Sequence, residues 1–133
     1  MDVELKARDA VIAAFGSDGD LVGRVNAVFD GAPARATPPY VVVGECQGSD
    51  WGAKELAGRE LRLSVSLHDA GEATGRLAQM MARVDPVLQG LSHLGDGWRV
   101  VSARLLRSRL TRQPRGLAGW QAAIDYRLRV VRE

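Results

Sequence analysis

Residue types that build chemical sites are scarce in this 133-residue sequence. It contains one cysteine, Cys46, and two histidines, His68 and His93. A lone cysteine cannot form an intrachain disulfide, and no Cys or His spacing typical of a zinc site is present. Stability must therefore come from packing, and we expect neither a metal site nor a cofactor.

Catalytic motifs are also missing. The sequence has no Gly-x-Ser-x-Gly elbow, no phosphate-binding glycine loop and no dinucleotide fingerprint. The glycines between residues 44 and 58 fall between two predicted strands, where turn glycines are common. No basic residue lies next to Cys46 in the sequence, which favours a structural thiol over a nucleophile. We predict that the protein is not an enzyme and has no catalytic residues.

Long apolar runs and targeting patterns are absent as well. No run approaches the roughly 20 apolar residues that span a bilayer, and the first four residues lack the pattern of a signal peptide. We expect a cytoplasmic protein without membrane contact. The length and the hydrophobic content of 46% predict one domain, residues 1–133.

Two hydrophobic periodicities predict the fold class. Apolar and polar residues alternate strictly over residues 60–68, which is typical of a half-buried strand. From Leu77 onward the apolar residues recur at helical spacing, at Leu77, Met80, Met81, Val84, Val87, Leu88 and Leu91. Such a stripe needs a sheet to cover it. We predict an α+β fold with an antiparallel sheet of about four to five strands, and with an N-terminal helix and a long amphipathic helix packed on one face.

The remaining elements follow from the positions of turn-forming residues and from the types of residue between them. Besides residues 60–68, we predict an N-terminal helix over 3–15 and strands over 24–29, 40–44, 98–106 and 120–130. Asp2 and Asp69 are candidate helix caps. Pro86 should kink the long helix or restart a turn at Asp85. The mixed apolar pattern of residues 98–106 indicates a bulge or burial on both faces.

The polar, glycine-rich stretch of residues 45–58 contains Trp51. An aromatic side chain there either contacts a partner or folds back over the strand ends, and the sequence leaves both open. We expect residues 48–58 to be mobile in an isolated chain and ordered by a neighbour, since the segment is polar and too long for a tight turn.

Charge is unevenly distributed along the chain, although the net charge is only +2. Up to Ser66 there are ten acids and seven bases, and from Leu67 there are six acids and eleven bases. The arginines of the acid-free segment 99–115 are Arg99, Arg104, Arg107, Arg109, Arg112 and Arg115. This segment either steers a polyanion or forms a solvated edge strand and loop.

In order and spacing, the whole pattern resembles the tail-completion, or tail-terminator, proteins of long-tailed phages and of phage-derived gene transfer agents. The resemblance covers nearly the whole chain. Its parts are an N-terminal helix, residues 25–31 with the Asp30-Gly31 turn, Pro38-Pro39-Tyr40-Val41-Val42-Val43-Gly44, Asp50-Trp51, Lys54, Gly58, the strand to Leu67, the amphipathic helix, and the strands containing Arg104 to Arg109 and Tyr126-Arg127.

The resemblance implies a structural protein that closes the head-proximal end of a tail tube as a ring, commonly of six copies, and joins it to the head connector. The implied partners are further copies of the chain, the tail tube protein, the head connector or stopper proteins, and DNA that passes through the lumen without sequence specificity. The protein would be cytoplasmic during assembly and then part of a phage-like particle.

The resemblance also implies two groups of contact residues. Candidate subunit or partner contacts are Asp50, Trp51, Lys54 and Glu55. Candidate residues of a DNA-facing lumen or loop are Arg104, Arg107, Arg109, Arg112 and Arg115. Two other functions stay open: a nucleic-acid-binding module that uses the segment 99–115, and a small-molecule-binding α+β domain.

Overall fold

The computed structural model describes residues 2–114 and 116–132. Its elements, in chain order, are α1 (Val3–Ser17), α2 (Gly19–Val22), β1 (Ala27–Asp30), β2 (Tyr40–Asp50), β3 (Ala57–Asp69), α3 (Gly75–Gln89), β4 (His93–Gly95), β5 (Trp98–Arg112) and β6 (Trp120–Arg132). The strands form one six-stranded sheet in the order β1-β2-β3-β6-β5-β4. The α+β class is confirmed, whereas the predicted strand number of about four to five was too low.

The sheet is not wholly antiparallel, which corrects a second part of the prediction. β1 pairs with β2 in parallel, and the other neighbouring pairs are antiparallel. The loop over residues 31–39 returns the chain to the end of the sheet where β1 began. The Asn26 side chain holds this loop by donating from Nδ2 to the carbonyl oxygens of Thr37 (2.9 Å) and Pro38 (3.2 Å). β4 has only three residues, which is too short for a periodicity to reveal.

The core lies between the helices and one face of the sheet. Four residues of the α3 stripe are buried: Leu77, Met80, Val84 and Leu88. They pack in one cluster with Val11 and Phe15 of α1 and with β3 and β6 residues that include Val65, Ile124 and Tyr126. The stripe is narrower than predicted, because Met81 and Val87 are only partly buried and Leu91 lies beyond the helix end.

A second apolar cluster lies under the first half of α1. It contains Val3, Ala7, Leu61, Leu94, Trp98, Leu128 and Val130. Leu61 and Leu128 therefore pack under α1 and not in the cluster that the α3 stripe joins. They belong here because β3 and β6 are 13 residues long, and α3 has too few turns to cover strands of that length.

Several predicted helix features differ in the structure. Asp69 is the last residue of β3 and is buried, and Thr74 is the residue that precedes α3. Asp2 precedes α1, but its side chain makes no capping hydrogen bond. α3 continues through Pro86 to Gln89, so no new turn begins at Asp85. The Asp85 carboxylate instead accepts a 2.6 Å hydrogen bond from the buried Tyr126 hydroxyl and so joins α3 to β6.

Two ion pairs fasten α3 to the elements around it. The buried Asp69 carboxylate accepts from the Arg76 guanidinium, with Nε at 3.0 Å, and this bond holds the pKa of Asp69 below its ordinary value. Asp18 accepts from Arg83 at 2.8 and 3.1 Å, and the pKa of Asp18 is lowered mainly by that guanidinium. Both carboxylates are therefore held in the charged form by the fold.

We expect these two acids to contribute to unfolding in acid. A carboxylate with a lowered pKa in the folded chain stabilises it above the ordinary pKa of 3.8, and the contribution disappears as the pH falls through the lowered value. The free energy of unfolding, measured with urea between pH 2 and 7, should fall below about pH 4. In the double variant Asp18→Asn, Asp69→Asn the fall should be shallower. An unchanged acid dependence in that variant would contradict the assignment.

Candidate assembly surfaces

The sheet face opposite the helices is polar and uncovered. We call it the open face. Its members follow from the register, in which Arg62 lies beside Arg127, Ser64 beside Asp125 and Ser66 beside Ala123. The residues between them, such as Leu63 and Val65, are buried against the helices. Strict alternation in β3 and β6 therefore produces one apolar face and one charged face.

Charged side chains on the open face form a partly paired network. Glu60 accepts from Arg129 Nε at 3.1 Å, and Arg127 Nε lies 3.9 Å from the same carboxylate. Asp125 accepts from Ser64 Oγ at 3.0 Å and pairs with Arg107 at 3.2 Å. The arginines of this face, counting those of β5, outnumber its acids, so the face carries a positive field.

A shallow groove of about 300 Å³ crosses the open face. Its lining residues are Glu45, Gln47, Arg62, Leu63, Ser64, Leu106, Arg107 and Asp125. They come from β2, β3, β6 and β5, so the sheet curls enough for its two flanks to border one groove. The lining offers charged groups and hydrogen-bonding groups to a bound partner.

The structure brings three of the five predicted DNA-facing arginines together. Arg104 lies beside Arg127, Arg107 beside Asp125 and Arg109 beside Ala123, which places all three on the open face. Within residues 2–114 and 116–132, neither Arg104 nor Arg109 has an ion-pair partner.

The other two predicted arginines do not join this group. Arg112 lies on the helix side of the sheet, where its guanidinium stacks 4.7 Å from the centre of the Trp120 ring. The bulge between Leu105 and Arg107 shifts the alternation along β5, and the sequence pattern, which left a bulge open, did not give its position. Arg115 lies outside the described residues.

The predicted contact residues lie together on the β2–β3 hairpin. β2 extends to Asp50, so the connection is much tighter than the predicted loop, with Ala53 and Leu56 exchanging two backbone hydrogen bonds. Trp51 is 37% exposed, and the Arg129 guanidinium lies 5.2 Å from its ring. The ring therefore folds back over the sheet and still presents an exposed surface.

The other three contact candidates are exposed on the same hairpin. Asp50 Oδ1 accepts a long 3.4 Å hydrogen bond from the Gly52 backbone, and Lys54 and Glu55 occupy the turn. Gly52 and Gly58 allow the two hairpin strands to approach closely, since a Cβ on Gly52 would lie 2.7 Å from the Leu56 carbonyl oxygen. The role of these residues in subunit contact stays a prediction.

The exposure of β5 was only partly expected, since a solvated edge strand was one interpretation of the segment 99–115, whereas the pattern of residues 98–106 left burial on both faces open. Its apolar residues Val101, Leu105, Leu106 and Leu110 are 47, 45, 38 and 47% exposed. Of the two alternatives predicted for residues 98–106, the bulge is present, after Val100 and again after Leu105. The strand also runs to Arg112, six residues beyond its predicted end. Burial on both faces, the other alternative, is wrong for this strand, because these apolar residues are exposed.

The residues with reactive side chains have structural surroundings. Burial raises the pKa of the Cys46 thiol to about 11, so the thiolate is disfavoured at neutral pH. Burial lowers the pKa of His68, whose ring stacks on Tyr40 at 4.6 Å and whose Nε2 lies 2.9 Å from Ser66 Oγ. Among the described residues, no group of three or more His, Cys, Asp or Glu side chains is arranged to hold a metal ion. No described helix has the length and apolar character needed to cross a bilayer.

Comparison with known proteins gives a consistent result. A family profile described as tail completion protein gp17 matches residues 9–131. The fold is similar to that of a chain in a solved structure titled virion of native gene transfer agent (GTA) particle, with a TM-score of 0.79, 21% sequence identity and coverage of 93% of each chain. No curated protein sequence matches this chain.

The family match spans α1 from its second turn, all six strands and the helices between them. It confirms the family that the order of sequence features indicated. The exposed β5 strand and the charged open face are surfaces available for contacts with other proteins. The chain therefore belongs to the gp17 family of tail completion proteins, and its role is a structural one in a phage-like tail.

Proposed function

We propose that this protein closes the head-proximal end of a phage-like tail tube as a ring of identical copies and joins the tube to the head connector. The observation that carries the proposal is the family match over residues 9–131. A ring needs two unlike contact surfaces on each copy. The exposed β5 strand and the opposite β1–β2 side of the sheet supply such a pair of surfaces.

The partners in this proposal are further copies of the chain, six in the commonest case, the tail tube protein and the head connector or stopper proteins. The chain is made in the cytoplasm and then becomes part of the particle. Asp50, Trp51, Lys54 and Glu55 contact a neighbouring subunit or one of these partners, because they project together on an exposed hairpin.

Native mass spectrometry of the purified protein, alone and with tail tube protein, tests this function. We expect a closed multimer of one defined copy number and its complex with the tube. A single copy of the chain under both conditions, at every soluble concentration, would contradict the ring.

We propose further that the open face borders the lumen through which DNA passes. Arg104 and Arg109 have no ion-pair partner among the described residues and are exposed, so their charge is available to a passing polyanion. Such contacts go to phosphates and carry no base sequence information. The field of several subunits would add up around the lumen, while one subunit alone would hold DNA weakly.

The double variant Arg104→Ser, Arg109→Ser is expected to fold normally but to yield several-fold fewer DNA-filled particles. Its free energy of unfolding should stay within about 0.5 kcal/mol of the wild type, because both side chains are exposed. Arg35→Ser is the matched control, since Arg35 is an exposed arginine on the loop over residues 31–39 at the other end of the sheet. The measurements are urea unfolding and nuclease-protected DNA per particle. Equal DNA content in the double variant and the control would contradict a lumen role.

The same two arginines favour a second candidate function, a nucleic-acid-binding module. In that case an isolated copy would bind duplex DNA tightly. In the double variant, the slope of the logarithm of the binding constant against the logarithm of the salt concentration would fall by the amount expected for about two phosphate contacts. A filter-binding series over salt concentration separates the two functions. Tight, salt-sensitive binding by a single copy that never forms multimers would favour the module.

A further inference from the structure

One edge of β5 is unpaired over most of its length. β6 pairs with the whole strand on one side, whereas β4 pairs on the other side only at Trp98 and Arg99. Two further bonds cover the start of that edge, from the Val100 amide to Ser92 O and from the Gln89 side chain to Ala103 O, each 2.8 Å long. From Arg104 onward, this edge has no backbone partner in the part of the chain that the structure describes. An open edge of this kind is a template for another strand.

The side chains of this edge include apolar ones on the helix side of the sheet and basic ones on the open face. Leu105 and Leu110 lie on the helix side of the sheet, in register with Tyr126 and Ala122, and both are nearly half exposed. Arg104, Arg107 and Arg109 lie on the open face. Exposed leucines on an edge strand are an aggregation risk unless a partner covers them. We call residues 104–112 the β5 edge.

The other side of the sheet has a second unpaired edge of opposite charge. β1 covers β2 only from Tyr40 to Val43, so the outer side of residues 45–50 is open. This segment carries two exposed carboxylates, Glu45 and Asp50, and no base. We call it the β2 edge. Its six residues are enough to pair with about two thirds of the nine-residue β5 edge.

The first turns of α1 border the β2 edge on the helix side of the sheet. Arg8 Nε donates to Gly44 O at 2.7 Å, which ties this flank of the helix to β2. Leu5 lies three residues before Arg8, on the same flank, and is 62% exposed. An exposed leucine, Leu5, thus lies beside the acidic β2 edge. The β5 edge likewise has exposed leucines, Leu105 and Leu110, near its arginines.

We propose that the β5 edge of one copy pairs with the β2 edge of a second copy. The pairing sets the basic β5 edge beside the acidic β2 edge, and it places Leu105 and Leu110 in the same layer as the neighbour's Leu5. Glu45 is the carboxylate of the β2 edge that shares the open face with the arginines, whereas Asp50 lies on the helix side. Most of the arginine charge therefore still faces the lumen. Two β5 edges would instead bring like charges together, which is unfavourable across strands. The contact uses two different surfaces, so it repeats from copy to copy, and it closes as a ring when the rotation between copies divides a full turn. The inference rests on the proposed ring and names the surfaces that form it.

A mixing experiment with two variants tests this contact. The first variant, Leu105→Thr, Leu110→Thr, removes the apolar part of the β5 edge while keeping residues that favour strands. The second variant, Leu5→Lys, Glu45→Lys, places positive charge on and beside the β2 edge. The control is Leu117→Thr, since Leu117 is 65% exposed but lies in the β5–β6 loop. Circular dichroism melting checks that each variant is folded, and light scattering with native mass spectrometry gives the copy number.

Each variant alone is expected to self-associate about tenfold or more weakly than the wild type, corresponding to about 1.4 kcal/mol, while the control assembles normally. An equimolar mixture of the two variants should form pairs with one copy of each, because only one intact edge of each kind remains between them. If both folded variants assemble like the wild type, or if the mixture forms no pairs, the proposed contact is wrong while the ring proposal survives. If the wild type itself never associates, both proposals fail.

Discussion

Replacing Leu77 by alanine is expected to lower the free energy of unfolding by about 2 to 5 kcal/mol. Leu77 is 1% exposed in the first turn of α3, and its side chain belongs to the larger core cluster. The smaller side chain removes apolar contacts and leaves a cavity that helix and strands fill only partly. Urea unfolding followed by circular dichroism measures the change.

Leu117→Ala is the matched control for this experiment. It makes the same chemical change at a position that is 65% exposed, so the expected cost is within about 0.5 kcal/mol. If Leu77→Ala cost no more than Leu117→Ala, the buried face of α3 would be incorrectly assigned. The packing of the helix stripe on β3 and β6 would then need revision.

Gly119→Ala is expected to destabilise the fold by a similar amount, about 2 to 5 kcal/mol. Gly119 has a φ of +95°, which costs other residues about 1 to 2 kcal/mol. A Cβ at this position would also overlap the Asp69 carbonyl oxygen and the Ala70 Cα. The contact lies where the β5–β6 loop passes the end of β3, close to the Asp69 pair with Arg76. An added methyl group must therefore move backbone rather than a flexible side chain.

Gly116→Ala separates the two contributions. Gly116 belongs to the same loop and has a φ of +89°, but no atom lies within 4 Å of an added Cβ. Its substitution should cost only the conformational part, about 1 to 2 kcal/mol. Thermal and urea unfolding of both variants provide the comparison. Equal costs at the two positions would mean that the close approach to Asp69 contributes nothing.

The amino-acid sequence by itself determined the elements whose signal is local. Alternation in residues 60–68 and 120–130 identified β3 and β6, and the period beginning at Leu77 identified α3 and its buried stripe. Side chains in these segments alternate or recur because one side of each element faces the core. The order of such segments was also enough to indicate the family. The candidate arginines and the hairpin around Trp51 were likewise visible as local concentrations of charge and glycine.

Tertiary structure alone decided the features that depend on which strands become neighbours. The parallel pairing of β1 follows from the path of the loop over residues 31–39, and the separation of Arg112 from Arg104 follows from a bulge whose position alternation alone does not fix. Asp69 meets Arg76 rather than capping α3, because the buried corner supplies that charged partner. Likewise, the sequence left open whether β5 is an exposed edge or a strand buried on both faces, and the strand pairing decided this. An apolar residue carries the same signal whether its own chain or another copy covers it, so only the sheet order shows that this edge is open.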